Sequence, residues 1–343
     1  MTVETISLAP GYKIARLIRG GWQLAGDHGE VQAERAIDDM AHFAQAGLNT
    51  FDCADIYTGV EELIGRYRQR DPRLQVHTKF VPDLAHLHRV NEGYVREIHE
   101  RSRERLRASV LDLVQYHWWD YAVPGMVQTA AHLMALRREG TLRLVGATNF
   151  NTEQTQRLLD AGIDLVSMQV QYSLLDRRPA GAMSRLCERS GLQLLCYGTL
   201  AGGFLTQAWL DAPEPALSSL SNRSLIKYKL VIDDFGGWPL FQQLLAALHH
   251  IAQRHGVALS SVATRWVLEQ QHVAAAIVGA RYAVHLPQML EVFAFELEQQ
   301  DHDRLVDVLR RSTMLEGDVF DLERDRQGRH GRIMKYNLNE GKA

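Results

Sequence analysis

The chain has 343 residues, 46% of them hydrophobic and 23% charged, with a formal net charge of -3, which is ordinary for a globular protein. Acidic and basic residues are interspersed, so the chain lacks the basic face of a nucleic-acid-binding protein, and no apolar run approaches a membrane span or a signal peptide. The cysteines Cys53, Cys187 and Cys196 are too few and too scattered for a disulfide framework or a zinc site, so we expect free thiols in a cytoplasmic protein.

Short apolar runs alternate with longer amphipathic stretches through the first half of the chain. The runs predict strands, and the stretches with apolar residues at helical spacing predict helices. Strands are expected at residues 14–18, 49–54, 74–80 and 111–117. The helices between them are expected at residues 33–46, 61–67 and 94–108. Gly20 and Gly21 end the first run.

The alternation continues to the end of the core sequence. Further strands are expected at residues 142–148, 165–171, 192–198 and 274–280. Further helices are expected at residues 125–138, 151–162, 180–190 and 285–293, the second of them capped by Thr152. Eight strand–helix units predict an α/β fold, a single (β/α)8 TIM barrel with a short N-terminal hairpin. No G-x-G-x-x-G motif opens a helix after a strand, which argues against a Rossmann fold.

Two segments depart from this alternation. Residues 203–240 separate the seventh strand from the next clear helix, and loops of this length are usually functional. Residues 313–343 have weak periodicity and many polar side chains. We therefore predict a barrel spanning residues 1–312 and a C-terminal arm outside it, over residues 313–343, that is ordered only in part.

Polar side chains follow several of the predicted strands, and the working groups of a TIM barrel lie at those strand ends. Asp52 and Tyr57 follow the second strand. Lys79 ends the third strand and His117 the fourth. Any one of them alone is more often a cap, a surface lysine or a packed histidine. Converging on one barrel mouth, they predict a site for proton transfer.

Such a set has a chemical purpose. A carbonyl that accepts a hydride becomes an alkoxide and needs a proton. Tyrosine is a poor acid, with a pKa of about 10, but an ammonium group beside it stabilises the phenolate and lowers that pKa. A carboxylate keeps the ammonium charged and oriented, and an imidazole can orient the carbonyl.

The segments that carry these residues resemble the aldo-keto reductase family, over roughly residues 12 to 310. FDCADIYTGVEELIG is similar to a family segment in which an aspartate and a tyrosine five residues on precede a helix, and HTKF and LDLVQYHWWD are similar to its lysine and histidine segments. The resemblance implies that Tyr57 donates the proton and that Lys79 and Asp52 tune it. It further implies that His117 orients the carbonyl of an aldehyde, ketone or sugar that is reduced to an alcohol, or the reverse.

The resemblance also implies a nicotinamide cofactor. GATNF, SMQVQYSLLDR and CYGTLAGGFLT are similar to the family segments that hold the nicotinamide and the pyrophosphate, and VGARYAVHLPQML is similar to its adenosine-binding loop. The cofactor-binding residues implied in this way are Gly21, Trp22, Thr148, Asn149, Gln169, Tyr197, Leu200, Gly202, Gly279, Arg281 and Gln288. Arg281 could pair with a 2'-phosphate, so NADP is expected in preference to NAD.

Several interpretations stay open at this point. Trp22 and Trp118 are expected to line the substrate mouth, or equally to pack beneath the loops. Asp52, Asp55, His77 and His117 are the residue types of a metal-dependent hydrolase, although Lys79 would compete with the ion. The resembling family also contains NADP-binding subunits of potassium channels, so a regulatory role without turnover is a further alternative. Neither the substrate nor the oligomeric state can be predicted from these patterns.

Overall fold

The computed structural model describes residues 2–25 and 31–339. The predicted barrel and arm also include residues 1, 26–30 and 340–343, which lie outside the described residues. The described chain opens with an antiparallel hairpin of β1 (Thr5–Ala9) and β2 (Tyr12–Ala15). Tyr12 and Ile14 of β2 are buried in one apolar cluster with the barrel residues Leu113 and Leu195.

Eight parallel strands then close into a barrel, which confirms the predicted (β/α)8 TIM barrel. The strands follow one another around the barrel in chain order, and the last pairs with the first. They are β3 (Leu17–Gly20), β4 (Thr50–Asp52), β5 (Gln75–Phe80), β6 (Leu111–Tyr116), β7 (Leu142–Thr148), β8 (Leu165–Gln171), β9 (Gln193–Tyr197) and β10 (Val273–Gly279).

Helices surround this barrel, and most of them bury an apolar face. In the first of them, Ile37, Met40 and Phe43 recur at helical spacing and are fully buried. The helices are α1 (Ala33–Gln45), α2 (Val60–Arg68), α3 (Glu92–Arg105), α4 (Met126–Arg138), α5 (Thr152–Asp160), α6 (Ala182–Ser190), α7 (Arg223–Phe235), α8 (Gly237–His255), α9 (Leu259–Leu268), α10 (Leu286–Leu290), α11 (Gln299–Leu309) and α12 (Asp321–Arg324). None of them within the described ranges has the length and apolar character needed to cross a bilayer.

Three local predictions differ from the structure. The run at residues 14–18 spans two elements, because the chain turns at Arg16, whose guanidinium bonds to Glu4 and to the carbonyls of Leu268, Val273 and Ala274. The cap of α5 is Asn151, whose side chain accepts a hydrogen bond from the Gln154 amide, and Thr152 is the first helical residue. The long segment at 203–240 contains a helix of its own, α7.

The described part of the C-terminal arm, residues 313–339, lies across the carboxyl ends of the barrel strands. Asp318 accepts a hydrogen bond from the Thr152 amide at 2.7 Å, near the start of the arm. At its far end, Asp83 accepts from the amides of Leu338 and Asn339 at 2.8 and 2.9 Å. Weak periodicity predicts an arm that is ordered only in part, but tertiary hydrogen bonds hold the described part of the arm in place, and an amphipathic pattern contributes little.

Candidate active site

A buried ion pair lies at the centre of the barrel mouth. Asp52 ends β4 and Lys79 lies near the end of β5, and both side chains point into the barrel. The Lys79 Nζ atom is 2.5 Å from each Asp52 carboxylate oxygen and 2.7 Å from the Cys53 carbonyl oxygen. Burial alone would lower the pKa of Lys79, but the Asp52 carboxylate outweighs it and raises that pKa above its ordinary value. Lys79 is therefore an ammonium at neutral pH.

Tyr57 stands beside this pair, in the loop between β4 and α2. Its ring centroid is 5.1 Å from Lys79 Nζ and 4.9 Å from the centroid of the Trp22 ring. Burial raises the pKa of Tyr57 to about 12, although the Lys79 ammonium lowers it. In this structure desolvation therefore outweighs the lowering expected from the lysine. The phenol keeps its proton through the neutral range and can donate it.

His117 faces the same cavity from the end of β6. Its Nδ1 atom is 3.0 Å from the Thr148 carbonyl oxygen, and a carbonyl can only accept, so Nδ1 carries the proton. Burial and the positive charge of Arg324 lower the pKa of His117 to about 3, although the hydrogen bond to the Thr148 carbonyl raises it. The imidazole is thus neutral and its buried Nε2 has no hydrogen-bond partner among the described residues. Nε2 can accept a hydrogen bond from a ligand hydroxyl and cannot donate one to a carbonyl.

Four side chains from neighbouring strands form a polar wall beside these groups. Gln169 Nε2 is 3.2 and 3.3 Å from the two Asp52 carboxylate oxygens. The Thr148 hydroxyl donates to the backbone carbonyl oxygen of Gln169 at 3.2 Å. The Tyr197 hydroxyl donates to Asn149 Oδ1 at 2.9 Å, which orients the Asn149 side-chain NH₂ group. The structure thus brings these four predicted residues together along the cavity.

This cavity, called the trough below, has a volume of about 530 Å³. Gly21 allows the chain to pass close to β4, because a Cβ there would lie 2.7 Å from the Asp52 carbonyl oxygen. Gly202 has a φ of +66°, a left-handed conformation that favours glycine. Gly279 lies against the Gln23 amide at the other wall. Trp22 and Leu200 also line the trough.

Cationic side chains line the outer part of the trough. Arg281 lies there, as expected. Arg223 and Lys227 also line it and were not predicted, because they belong to α7 in the segment read as a loop. The Trp22 indole Nε1–H donates to the Ser224 hydroxyl at 3.2 Å, which ties the start of α7 to the barrel mouth. A helix-capping residue before an apolar run, Asn222, was the sequence signal for this helix.

Gln288 lies apart from the trough. Its side chain is exposed and donates to the Ser260 hydroxyl at 3.0 Å, and it does not line the cavity. The helix α10 turns this side chain towards α9, and the contact of Gln288 with an adenosine stays a prediction. His285, on the turn before α10, lines the trough instead.

The end of the cavity near Tyr57 has mainly apolar walls. Trp119 forms one of them, and its ring is nearly perpendicular to the ring of His117 at a centroid distance of 4.3 Å. The side chains that form these walls are Ile56, Val81, Trp119, Phe320, Ile333, Met334 and Leu338. Four of them belong to the C-terminal arm, which the sequence analysis left outside the site.

Trp118 does not line this cavity, so the expected place at the substrate mouth is wrong and the alternative, packing beneath the loops, is confirmed. It is fully buried, packs against Tyr116 at a centroid distance of 6.2 Å, and donates from its indole to the Val123 carbonyl oxygen. Successive residues of an extended segment point in opposite directions. With His117 and Trp119 facing the cavity, Trp118 faces the surrounding helices.

The residues considered for a metal site are dispersed. Asp55 accepts a hydrogen bond from the Val81 amide, while His77 lies deeper in the barrel with its Nε2 3.2 Å from the Tyr12 hydroxyl. Over the described part of the chain, no group of three or more His, Cys, Asp or Glu residues could hold a metal ion. The hydrolase alternative therefore lacks a set of ligands there.

Comparisons with known proteins agree with this architecture. A model of the Aldo/keto reductase family matches residues 16–310. The aldo-keto reductase YhdN of Bacillus subtilis is 26% identical over 93% of this chain and 96% of its own. An NADH-specific methylglyoxal reductase of Escherichia coli is 25% identical, covering 78% of this chain and 86% of its own. The solved structure of a glycerol dehydrogenase from Gluconobacter oxydans matches the fold with a TM-score of 0.77 at 24% identity, covering 93% and 98% of the two chains.

Proposed function

The chain belongs to the aldo/keto reductase family, and from this premise we propose that it is an NAD(P)H-dependent reductase that converts an aldehyde or ketone into an alcohol. One observation carries the proposal above the others. A protonated tyrosine, Tyr57, stands next to the buried Lys79–Asp52 ion pair at the inner end of a cavity with a volume of about 530 Å³.

Each residue at the inner end of the cavity has a separate role in proton transfer. Tyr57 donates its proton to the carbonyl oxygen as negative charge develops there. The Lys79 ammonium stabilises the phenolate that remains, and Asp52 keeps that ammonium charged and oriented. His117, with a free Nε2 lone pair, then accepts a hydrogen bond from the hydroxyl that has formed. This arrangement gives His117 a role in holding the alcohol and leaves the acid role to Tyr57.

The trough suits a nicotinamide dinucleotide. Asn149 and Gln169 offer amide groups to a carboxamide, while Arg223 and Arg281 offer cations to phosphates. When bound, the reduced cofactor would supply the hydride that the carbonyl carbon accepts. The 2'-phosphate of NADP would favour pairing with Arg281, and we propose NADPH as the preferred cofactor.

The walls near Tyr57 favour one kind of carbonyl compound. Trp119, Phe320 and Met334 contribute aromatic and aliphatic surface to the lining of the cavity. An aromatic or aliphatic substituent would bury apolar area there. An open-chain sugar would lose hydration of its hydroxyl groups with few partners to replace it. We therefore place apolar aldehydes and ketones ahead of sugars as substrates.

Steady-state oxidation of NADPH and NADH tests the proposal with benzaldehyde, hexanal, methylglyoxal and xylose. We expect turnover with the first two at lower KM than with xylose, and faster turnover with NADPH. Tight cofactor binding without turnover of any compound in either direction would favour the regulatory alternative instead. Sugar turnover at lower KM than benzaldehyde would overturn the assignment of substrate class.

A further inference from the structure

One arginine of the C-terminal arm reaches into the loops that end two barrel strands. The guanidinium of Arg324, the last residue of α12, donates to three backbone carbonyls. Its Nη1 is 2.5 Å from the carbonyl oxygens of both Trp118 and Trp119, and its Nη2 is 2.7 Å from that of Asn149. The guanidinium carbon also lies 4.0 Å from the centre of the Tyr121 ring. All of these partners lie in the loops after β6 and β7.

These two loops carry groups that the proposed reaction needs. Trp118 and Trp119 directly follow His117, and Trp119 is a wall of the substrate cavity. Asn149 has a φ of +60°, a left-handed conformation that is uncommon for residues with a Cβ, although asparagine adopts it more readily than most. A contact that holds its carbonyl therefore helps to maintain a backbone that would otherwise relax. A planar guanidinium with five donors can satisfy both loops at once, whereas an ammonium cannot reach both.

The residue before Arg324 holds the arm from the opposite side. Glu323 is 1% exposed and its carboxylate lies 3.3 Å from both Arg178 Nη1 and Lys227 Nζ. Arg178 is itself paired with Asp176 at 2.7 Å, and Lys227 belongs to α7, which lines the cofactor trough. Adjacent residues of α12 thus contact the cofactor side and the substrate side of the cavity.

We propose that Arg324 is a positioning residue of the active site: docked by Glu323, it holds the β6 and β7 loops so that His117, Trp119 and Asn149 face the substrate and cofactor. The inference rests on the proposed function, because it assigns the arm a part in the same reaction. Without Arg324, Tyr57, Lys79 and Asp52 keep all of their contacts, so the acid survives while the substrate and nicotinamide lose their alignment. The arm is then a component of the catalytic site as well as a wall of the substrate cavity.

Arg324→Ala and Arg326→Ala form a matched pair for the test. Arg326 is two residues further along the same arm, and its side chain is 57% exposed and 3.5 Å from Asp120. With benzaldehyde and saturating NADPH, we expect kcat/KM to fall about 100-fold in Arg324→Ala, the scale of a misplacement of about 1 Å, and to change little in Arg326→Ala. Millimolar guanidinium should restore part of kcat in Arg324→Ala alone, because the three carbonyls can bind the free cation.

Two further measurements separate positioning from folding and from the identity of the reaction. Hydrogen–deuterium exchange should quicken at the amides of residues 117–121 and 148–152 in Arg324→Ala, with no such change in Arg326→Ala, and this readout needs no turnover. If Arg324→Ala does not fold, Arg324→Lys should fold and show a smaller rise in exchange at one loop. Unchanged exchange in both loops would overturn the inference. So would a decrease in kcat/KM of less than threefold in an active enzyme, if guanidinium also fails to restore kcat. If the wild-type protein shows no turnover while exchange still quickens in Arg324→Ala, the result counts against the proposed function alone.

Discussion

Replacing Tyr57 by phenylalanine removes one hydroxyl from the inner end of the cavity and leaves the ring in place. The ring keeps its contact with Trp22, at a centroid distance of 4.9 Å, and its position over Lys79. We therefore expect the variant to fold and to bind NADPH almost as well as the wild type, with a change in binding free energy below about 1 kcal/mol. What it loses is the donor of the proton.

The size of the loss follows from the groups that could replace Tyr57. Lys79 already has three acceptors for its three N–H groups, two Asp52 oxygens and the Cys53 carbonyl oxygen. His117 is neutral and has no proton on the nitrogen that faces the cavity. Neither is a ready donor, so the full effect of removing a general acid is expected, a fall in kcat of about 10²- to 10⁴-fold. This corresponds to about 2.7 to 5.4 kcal/mol in activation free energy.

The assay is steady-state reduction of the best carbonyl substrate, with NADPH affinity measured in parallel by quenching of tryptophan fluorescence. Tyr67→Phe is the matched control, because Tyr67 lies on α2 and stacks on Phe51 away from the cavity. The wild-type rate should also stay constant into the alkaline range and fall only as the pH approaches the Tyr57 pKa of about 12, since the phenol acts in its protonated form. Near wild-type turnover in Tyr57→Phe would refute the assignment of the acid.

Three further outcomes are expected. Arg281→Ala should weaken NADPH binding about tenfold and leave the affinity for NADH almost unchanged, because one charge-assisted contact with the 2'-phosphate contributes about 1.5 kcal/mol. Both affinities can be measured by fluorescence titration. Equal effects on the two cofactors would show that Arg281 does not bind the phosphate. Burial would raise the pKa of the Glu323 carboxyl, but two neighbouring cations lower it from 4.5 to about 2. The stability that this ion pair contributes is then complete above about pH 4.5 and is lost as the pH falls towards 2. Acid should therefore loosen the arm, which a proteolysis assay would detect. Glu323→Gln should loosen the arm already at neutral pH. Trp118→Ala should lower the free energy of unfolding by about 3–5 kcal/mol, measured by urea unfolding. Trp119→Ala should chiefly raise KM for bulky substrates, measured by steady-state kinetics. A large loss of stability in Trp119→Ala with a raised KM in Trp118→Ala would contradict both assignments.

Much of this protein was accessible from the amino-acid order alone. Alternating strand and helix signals predicted the barrel, because each signal depends on residues close in sequence and the closure of eight parallel units then has few solutions. The residues Asp52, Tyr57, Lys79 and His117 could be placed at one mouth for the same reason: strand ends of a parallel barrel converge, whatever the loops do. Short segments such as GATNF led to Asn149 by resemblance.

The arm and the charges at the site were decided only by the tertiary structure. Phe320 lines the cavity and Arg324 holds the loops beside it through contacts with residues far away along the chain, and no local pattern encodes such contacts. The direction of Trp118 depended on where the strand ended, since a shift of one residue reverses inside and outside. The pKa of Tyr57 depended on how much water the folded chain removes from around it, and that burial outweighed the nearby lysine. Sequence determined which groups meet at the mouth, and packing determined their protonation states and what covers them.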